Sequence, residues 1–511
     1  MNAITFRKWL TPAILFMLIL GAQRSWAVQA VTNGKTLSTN LTLVNLAPGA
    51  NSGVVRYLRD DGTEWRDPEP FSFASQGDQL IWRQYDSGSG LDTGRGSIVV
   101  SSSEPLGSVV QILARRQTAS SGAYAGIPTS ATSIYIPLLV RKVASASGVA
   151  NSQIAINNAG ASTTDVEIKF YDETGALTFT KTGISLVAGA SLLYDLASEA
   201  SSSLPDGWRG SGEVHVLTAS GRIIAMANLF SGPHAVQSFG GFSEAGQEWL
   251  APLFASRLPN TLSTPVTVQN LSGRTIPVGG IKARCVADAA SSSPNFNLSN
   301  SREVPHLAAY SFNPVTDLAI PTGWFGGCRI ETTGHQTIAF VQMRLVGGDQ
   351  AAAYEALRVE DVSTQLLIPL YAKRLTNGFA TSVVIQNLNN DADAHIDLRY
   401  KGALGTPAGC TITLENVLIP AGGSLIQNHR LDQTGPGAVP ALGNNCFGTL
   451  TVTSRDQNIG AMVQLTDISG AAGDTWMAHN AFNITANDVH AQMQAGRELR
   501  MPLIGNDLPT P

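Results

Sequence analysis

The sequence predicts an all-β protein: four tandem antiparallel β-sandwich domains of the immunoglobulin-like kind, behind an export signal. Three observations carry this reading. Apolar and polar residues alternate, or apolar ones run on, over short stretches such as "SQIAINN", "DVEIKFYD" and "GEVHVLT". Gly, Ser, Asn and Pro punctuate the stretches, with 50 Gly and 25 Pro in 511 residues. Finally, three landmark motifs each occur four times at one spacing.

The first landmark is an alternating stretch ending in Asn: "LTLVNLAPG", "IAINNAGAS", "VTVQNLSGR" and "VVIQNLNND". Its asparagines, Asn45, Asn158, Asn270 and Asn387, lie 113, 112 and 117 residues apart. The second runs through Leu106, Ile224, Ile338 and Ile459. The third is a Pro-Leu segment with Pro137, Pro252, Pro369 and Pro502. That segment is missing ahead of the first copy and present after the last, so it is read as closing each unit. The domains are then 28–145, 146–259, 260–376 and 377–511. Another use of the last segment is addition to the first unit of a second molecule, giving head-to-tail self-association.

Ahead of these units, Arg7 and Lys8 precede an apolar run from Ala13 to Leu20, and Ser25-Trp26-Ala27 fits a cleavage site. Residues 1–27 therefore read as a signal peptide, which places the mature chain outside the cell or in the envelope. The run is too short for a membrane span, and no later stretch is long and apolar enough to provide one. Removing Arg7, Lys8 and Arg24 takes the formal charge from -5 to -8. No basic stripe remains to neutralise phosphates, which argues against nucleic acid as a partner.

The motifs "IQNL" at 385, "KFYDETG" at 169, "LPDGWRGSG" at 204, "GAYAG" at 122 and "IPLLVRK" at 136 resemble those of tandem β-sandwich repeats in secreted bacterial surface proteins. The resemblance covers essentially the whole mature chain. It implies a repetitive structure without an assigned function, and it supplies no catalytic residues.

Within this frame a few groups of residues are candidate sites. "DSGSGLDTG" places Asp86 and Asp92 in two Asp-[Ser/Thr]-Gly triplets. Aspartic proteases bring two such carboxylates together from separate lobes, whereas these lie six residues apart in a Gly-rich slot before the late strand of the unit. The stretch reads as a turn. Cys285 and Cys328 fall in the third unit, Cys410 and Cys446 in the fourth. An even count in an exported chain favours disulfides, paired within units, each stabilising by ~3–4 kcal/mol in the chain-entropy model. Asn389, Asn390, Asp391 and Asp393 form the best calcium candidate, with a solvated loop as the commoner meaning. Trp208 and Trp324 share a "P-x-G-W" slot and offer glycan-stacking faces if exposed. Ser191, Asp195 and His215 can be assembled into a triad only on paper. The chain is thus expected to be non-catalytic and without a cofactor: a structural or adhesive spacer, or a protein-binding rod, at the cell surface. The alternative is an extracellular carbohydrate-binding protein using the two tryptophans. Its partners would be proteins or polysaccharides.

Overall fold

The computed structural model describes residues 36–84, 89–114, 119–145, 148–288, 291, 293–435, 437–470, 472–485, 496–506 and 508–509. The signal segment and Asp86 lie outside them.

The first part of the chain forms β1 (Thr36–Asn45), β2 (Asn51–Arg59), β3 (Glu64–Phe73), β4 (Gln79–Arg83), β5 (Gly94–Ala114) and β6 (Ser121–Ala125). Next come β7 (Ser133–Arg141), β8 (Val143–Ser145), β9 (Gly148–Asn158), β10 (Thr164–Asp172), β11 (Leu177–Leu186), β12 (Ser191–Asp195), β13 (Trp208–Val216), β14 (Ile223–Ser231) and β15 (Ala235–Gly240). They are followed by β16 (Glu248–Ser256), β17 (Leu262–Ser263), β18 (Val266–Asn270), β19 (Lys282–Ala287), β20 (Phe296–Ser299), β21 (Ala309–Phe312), β22 (Trp324–Glu331), β23 (Thr337–Leu345), β24 (Ala351–Glu355) and β25 (Leu357–Arg358). The last part holds β26 (Gln365–Lys373), β27 (Phe379–Asn387), β28 (Ala394–Gly402), β29 (Ile412–Ile419), β30 (Ser424–Asn428), β31 (Cys446–Ser454), β32 (Ile459–Asp467), β33 (Met477–Asn480), β34 (Phe482–Asn483), β35 (Gly496–Asn506) and β36 (Leu508–Pro509).

One pairing scheme recurs. In the second unit the sheets run β11-β10-β13-β7 and β12-β9-β14-β15. The third repeats this as β20-β19-β22-β16 and β21-β18-β23-β24, and the fourth as β29-β28-β31-β26 and β30-β27-β32-β33. In the first unit the 21 residues of β5 run through both layers, joining them into one sheet. The late-strand landmark is shifted by one residue in two units: the ladder sets Asn45, Asn158, Asn270 and Asn387 opposite Leu106, Ile223, Thr337 and Ile459.

The Pro-Leu strands correct the expected boundaries. β7, β16 and β26 pair with β13, β22 and β31, so each opens the unit that follows it, and breaks near 145, 259 and 376 fall too late. Among the described residues no such strand precedes the first unit. β35 fills the place by pairing with the first half of β5, from Leu499↔Val100 to Asn506↔Gly94. The last segment therefore completes its own molecule. In all four strands the register slips across the Pro-Leu pair, between Ile136 and Leu139, Ala251 and Phe254, Ile368 and Tyr371, and Met501 and Ile504. Proline has no N–H to give the ladder, and a bulge is where a strand tolerates it.

Closure also sets the arrangement of the units, which form a ring and not the expected rod. Gly96, Gly210, Gly326 and Gly448 share one register position. A Cβ there would lie 1.9, 1.9, 2.1 and 2.0 Å from the carbonyl oxygens of Leu58, Tyr171, Val286 and Lys401, so only glycine fits. The residue after each glycine meets the next unit. Ser97 accepts from Asn157 Nδ2 at 3.2 Å, and Ser211 accepts from Gln269 Nε2 at 2.9 Å. At Gly327 a Cβ would lie 2.4 Å from Ser424 Oγ. Thr449 Oγ1 donates to the Gly77 carbonyl at 2.9 Å, which returns the ring to the first unit. On the inside, β6 touches β15, β15 touches β24, β24 touches β33, and β33 touches β6. Between the second and third units Gln342 Nε2 of β23 donates to Gln237 Oε1 of β15 at 2.8 Å, and Phe239 packs on Phe340 with ring centres 4.2 Å apart.

The landmark asparagines are all fully buried and do one job. Asn158 Oδ1 accepts from Gly160 N–H at 2.9 Å while Nδ2 donates to the Ser162 and Leu186 carbonyls, each at 2.8 Å. Asn270 repeats this with Ser272, Arg274 and Val304, and Asn387 with Asn389, Ala392 and Ile419. Asn45 makes the local half, to Ala47 and Gly49. Each side chain ties a loop that would otherwise bury unpaired backbone groups. Buried cations act similarly: Arg141 Nε donates to the Leu196 carbonyl at 3.0 Å and Lys373 Nζ to Asp432 O at 2.9 Å. Disulfides join Cys285 to Cys328 and Cys410 to Cys446, within units.

Two outcomes are expected. A chain ending at residue 485 should lose amide protection over residues 94–102 in hydrogen exchange, and a peptide of residues 496–511 added in trans should restore it. Unchanged protection in the short chain would contradict the closure. Asn158→Ala should cost about 2–4 kcal/mol in urea unfolding, because it strands buried partners on both sides of the loop.

Candidate functional site

The four inner strands place one residue each at the same register. Ala125, Gly240, Glu355 and Asn480 stand opposite Val109, Met226, Phe340 and Met462. Three of the four are small or neutral, and one is a carboxylate. At this end of the axis the strands frame a cavity of about 210 Å³, whose lining includes Phe242, Glu244, Leu357, Arg358, Asp361 and Phe482 as well as the four register residues.

Glu355 accepts a hydrogen bond from the Gly240 N–H, and burial pushes its carboxyl above the usual glutamate range. A Cβ at position 240 would sit 3.1 Å from Glu355 Oε1, so the glycine leaves the room the carboxylate uses. No lysine, arginine or histidine among the described residues forms an ion pair with it. Arg358 stands nearby, held by Glu244 at 2.5 Å and Asp361 at 2.8 Å. Asn480 Nδ2 donates to the Glu355 carbonyl at 2.8 Å, while its Oδ1 is buried without a donor.

The residues singled out from sequence lie elsewhere. Trp208 and Trp324 are 6% and 0% exposed, which removes both as glycan platforms. Trp208 stands edge-on to Phe170 at 5.8 Å, and Trp324 to Phe296 at 4.7 Å. Their N–H groups reach Thr178 Oγ1 and the Pro294 carbonyl. The register position they occupy belongs to Gly94 and Cys446 in the other units. There the Trp65 ring and the Cys410–Cys446 bond supply the bulk, so the slot is a core plug.

Asn389, Asn390 and Asp391 border one polar pocket with Arg329 and Asp456, but their loop is tied by its own bonds: Asn389 Oδ1 accepts from Asp391 N–H. Asp393 turns to the Ala421 N–H instead. Among the described residues no group of three or more His, Cys, Asp or Glu could hold a metal ion. Asp92 sits in the irregular stretch just before β5 and accepts from Arg59 at 3.1 Å. The paper triad does not assemble: Ser191 accepts from Asn157, Asp195 caps Ala197 N–H, and His215 meets Ser133.

Sequence reasoning missed Glu355 because "AAAYEAL" reads as an ordinary strand. Superposing the four inner strands residue by residue would have exposed it.

Two buried histidines give the fold a pH dependence. His479 takes the register of Tyr124, Phe239 and Tyr354, and burial lowers its pKa to about 4. His429 sits between Thr381 Oγ1 at 2.7 Å and Tyr400 OH at 2.9 Å, and burial with the nearby Lys373 charge lowers it to about 3.

No family model matches the chain, and no curated protein does. Among solved structures, it is matched to the native conformation of E. coli alpha-2-macroglobulin at 8% identity and a TM-score of 0.10. That match covers 89% of this chain and 29% of the other, and a likeness so slight carries no argument.

Since both histidines bind protons more weakly folded than unfolded, their stabilisation is complete above about pH 6.5 and is lost as pH falls towards their folded values. Each should cost about 2 kcal/mol between pH 7 and pH 5. His479→Phe, which installs the residue that the second unit carries as Phe239, should remove one such share from the difference between urea midpoints at the two pH values. An unchanged difference would contradict a neutral, buried His479.

Proposed function

We propose that the chain is an exported, non-catalytic binding scaffold, a closed ring of β-sandwich units that presents a ligand site on its axis. The observation that supports this best is the use of the recurring polar residues. The asparagines, the buried cations and the small interface residues all serve folding and ring contacts. The inner-strand register, where the copies differ in charge, opens on a cavity. The two disulfides and the signal-like residues 1–27 support export. Likeness to the immunoglobulin-like repeat proteins of bacterial surfaces is part of the proposal, with a cell-surface protein or polysaccharide as the partner that the ring presents itself to. A rod-like spacer role is disfavoured by the pairing of β36 with β1 and of β35 with β5.

The test uses residues 28–511. A library of small ligands is screened by thermal shift, alongside ester, peptide and glycoside substrates for hydrolysis. The reading expects a saturable rise in Tm for at least one ligand class and no turnover. Turnover abolished by Glu355→Ala would overturn it.

A further inference from the structure

We propose that the axial cavity binds a primary alkylammonium group, with the Glu355 carboxylate and Asn480 Oδ1 as its acceptors. The inference rests on the binding-scaffold reading and names the ligand class for that site.

The argument begins with donors and acceptors. A half-buried carboxylate held only by backbone N–H groups, with no cation paired to it among the described residues, is costly, as is a buried amide oxygen with no donor. Both costs fall at the same mouth, on neighbouring inner strands, at equivalent register. The cation of the cavity itself does not relieve them, because Arg358 is committed to Glu244 and Asp361. The hydrogen bond from Asn480 Nδ2 to the Glu355 carbonyl fixes the amide with its oxygen left over. What is missing is a positively charged group that donates several hydrogen bonds and accepts none, which describes an ammonium.

The competing classes fit less well. An anion would meet Glu355, Glu244 and Asp361. A hard divalent metal wants six or more oxygen ligands, and no such cluster occurs among the described residues. A quaternary ammonium brings charge but no N–H. Phe242, Phe482 and Leu357 in the same lining suit the methylenes of an alkyl chain.

The experiment measures the Tm of the mature chain against n-butylammonium, tetramethylammonium and n-butyrate at equal ionic strength. Butylammonium alone is expected to give a saturable rise. Glu355→Ala, which installs the residue that the first unit carries as Ala125 at this register, should fold and lose at least tenfold in affinity. Asn480→Ala should weaken binding less. Equal binding of butylammonium to the Glu355→Ala chain, or equal binding of butyrate or tetramethylammonium by the parent, would overturn the assignment. If butylammonium does not bind while another ligand class does, the ammonium assignment fails and the scaffold reading stands. If Glu355→Ala instead abolishes turnover of a substrate, the scaffold reading itself fails.

Discussion

The ladder between β35 and β5 is the contact on which the remaining architecture depends. A strand edge presents a row of N–H and C=O groups that must be paired or solvated. Every later unit receives its partner strand from the segment just before it. Among the described residues the first unit has no preceding segment in its sheet, and β35 from the far end of the chain takes that place. That single substitution turns a row of repeats into a ring, because the strand can arrive only if the fourth unit lies beside the first.

The contacts that follow are consistent with closure. Each unit offers a small residue after an obligatory glycine to the next unit, and the geometry is head-to-tail at each junction. Head-to-tail contacts either propagate without limit or close on themselves. Here four turns return to the start, with Thr449 meeting Gly77 and Lys401 Nζ meeting Asp78 at 2.7 Å. The inner strands then enclose an axis, and small differences between equivalent residues become concentrated in one place. A glutamate on an outer strand would be a solvated charge. At position 355 it becomes the one acidic member of a four-residue rim.

Much of this was legible in the residues themselves. The period, the landmark asparagines and the all-β class could be read because they depend on local pattern. The within-unit cystines could be read from their spacing and compartment. The unit boundaries could not. A repeating sequence can be cut at any point of its period, and only hydrogen bonding across more than a hundred residues decides which cut is physical. The Pro-Leu strand is the part whose assignment changed. The tryptophans failed for a different reason: "P-x-G-W" specifies a turn followed by an indole, and it says nothing about which side of the sheet the indole enters. The axial rim was invisible because its four members come from four segments, none unusual alone.

Closure by the tail also orders the events of biogenesis. Ribosomes add about 5–20 residues per second. The strand centred near Pro502 is therefore made roughly 20–80 s after β6 is complete, on that same scale. Throughout that interval the β5 edge lacks its β35 partner, and an open sheet edge is the kind of surface that recruits neighbouring polypeptides. Translocation in an unfolded state, or a chaperone over that edge, would cover the delay. Of the four units, the one synthesised first is the one finished last.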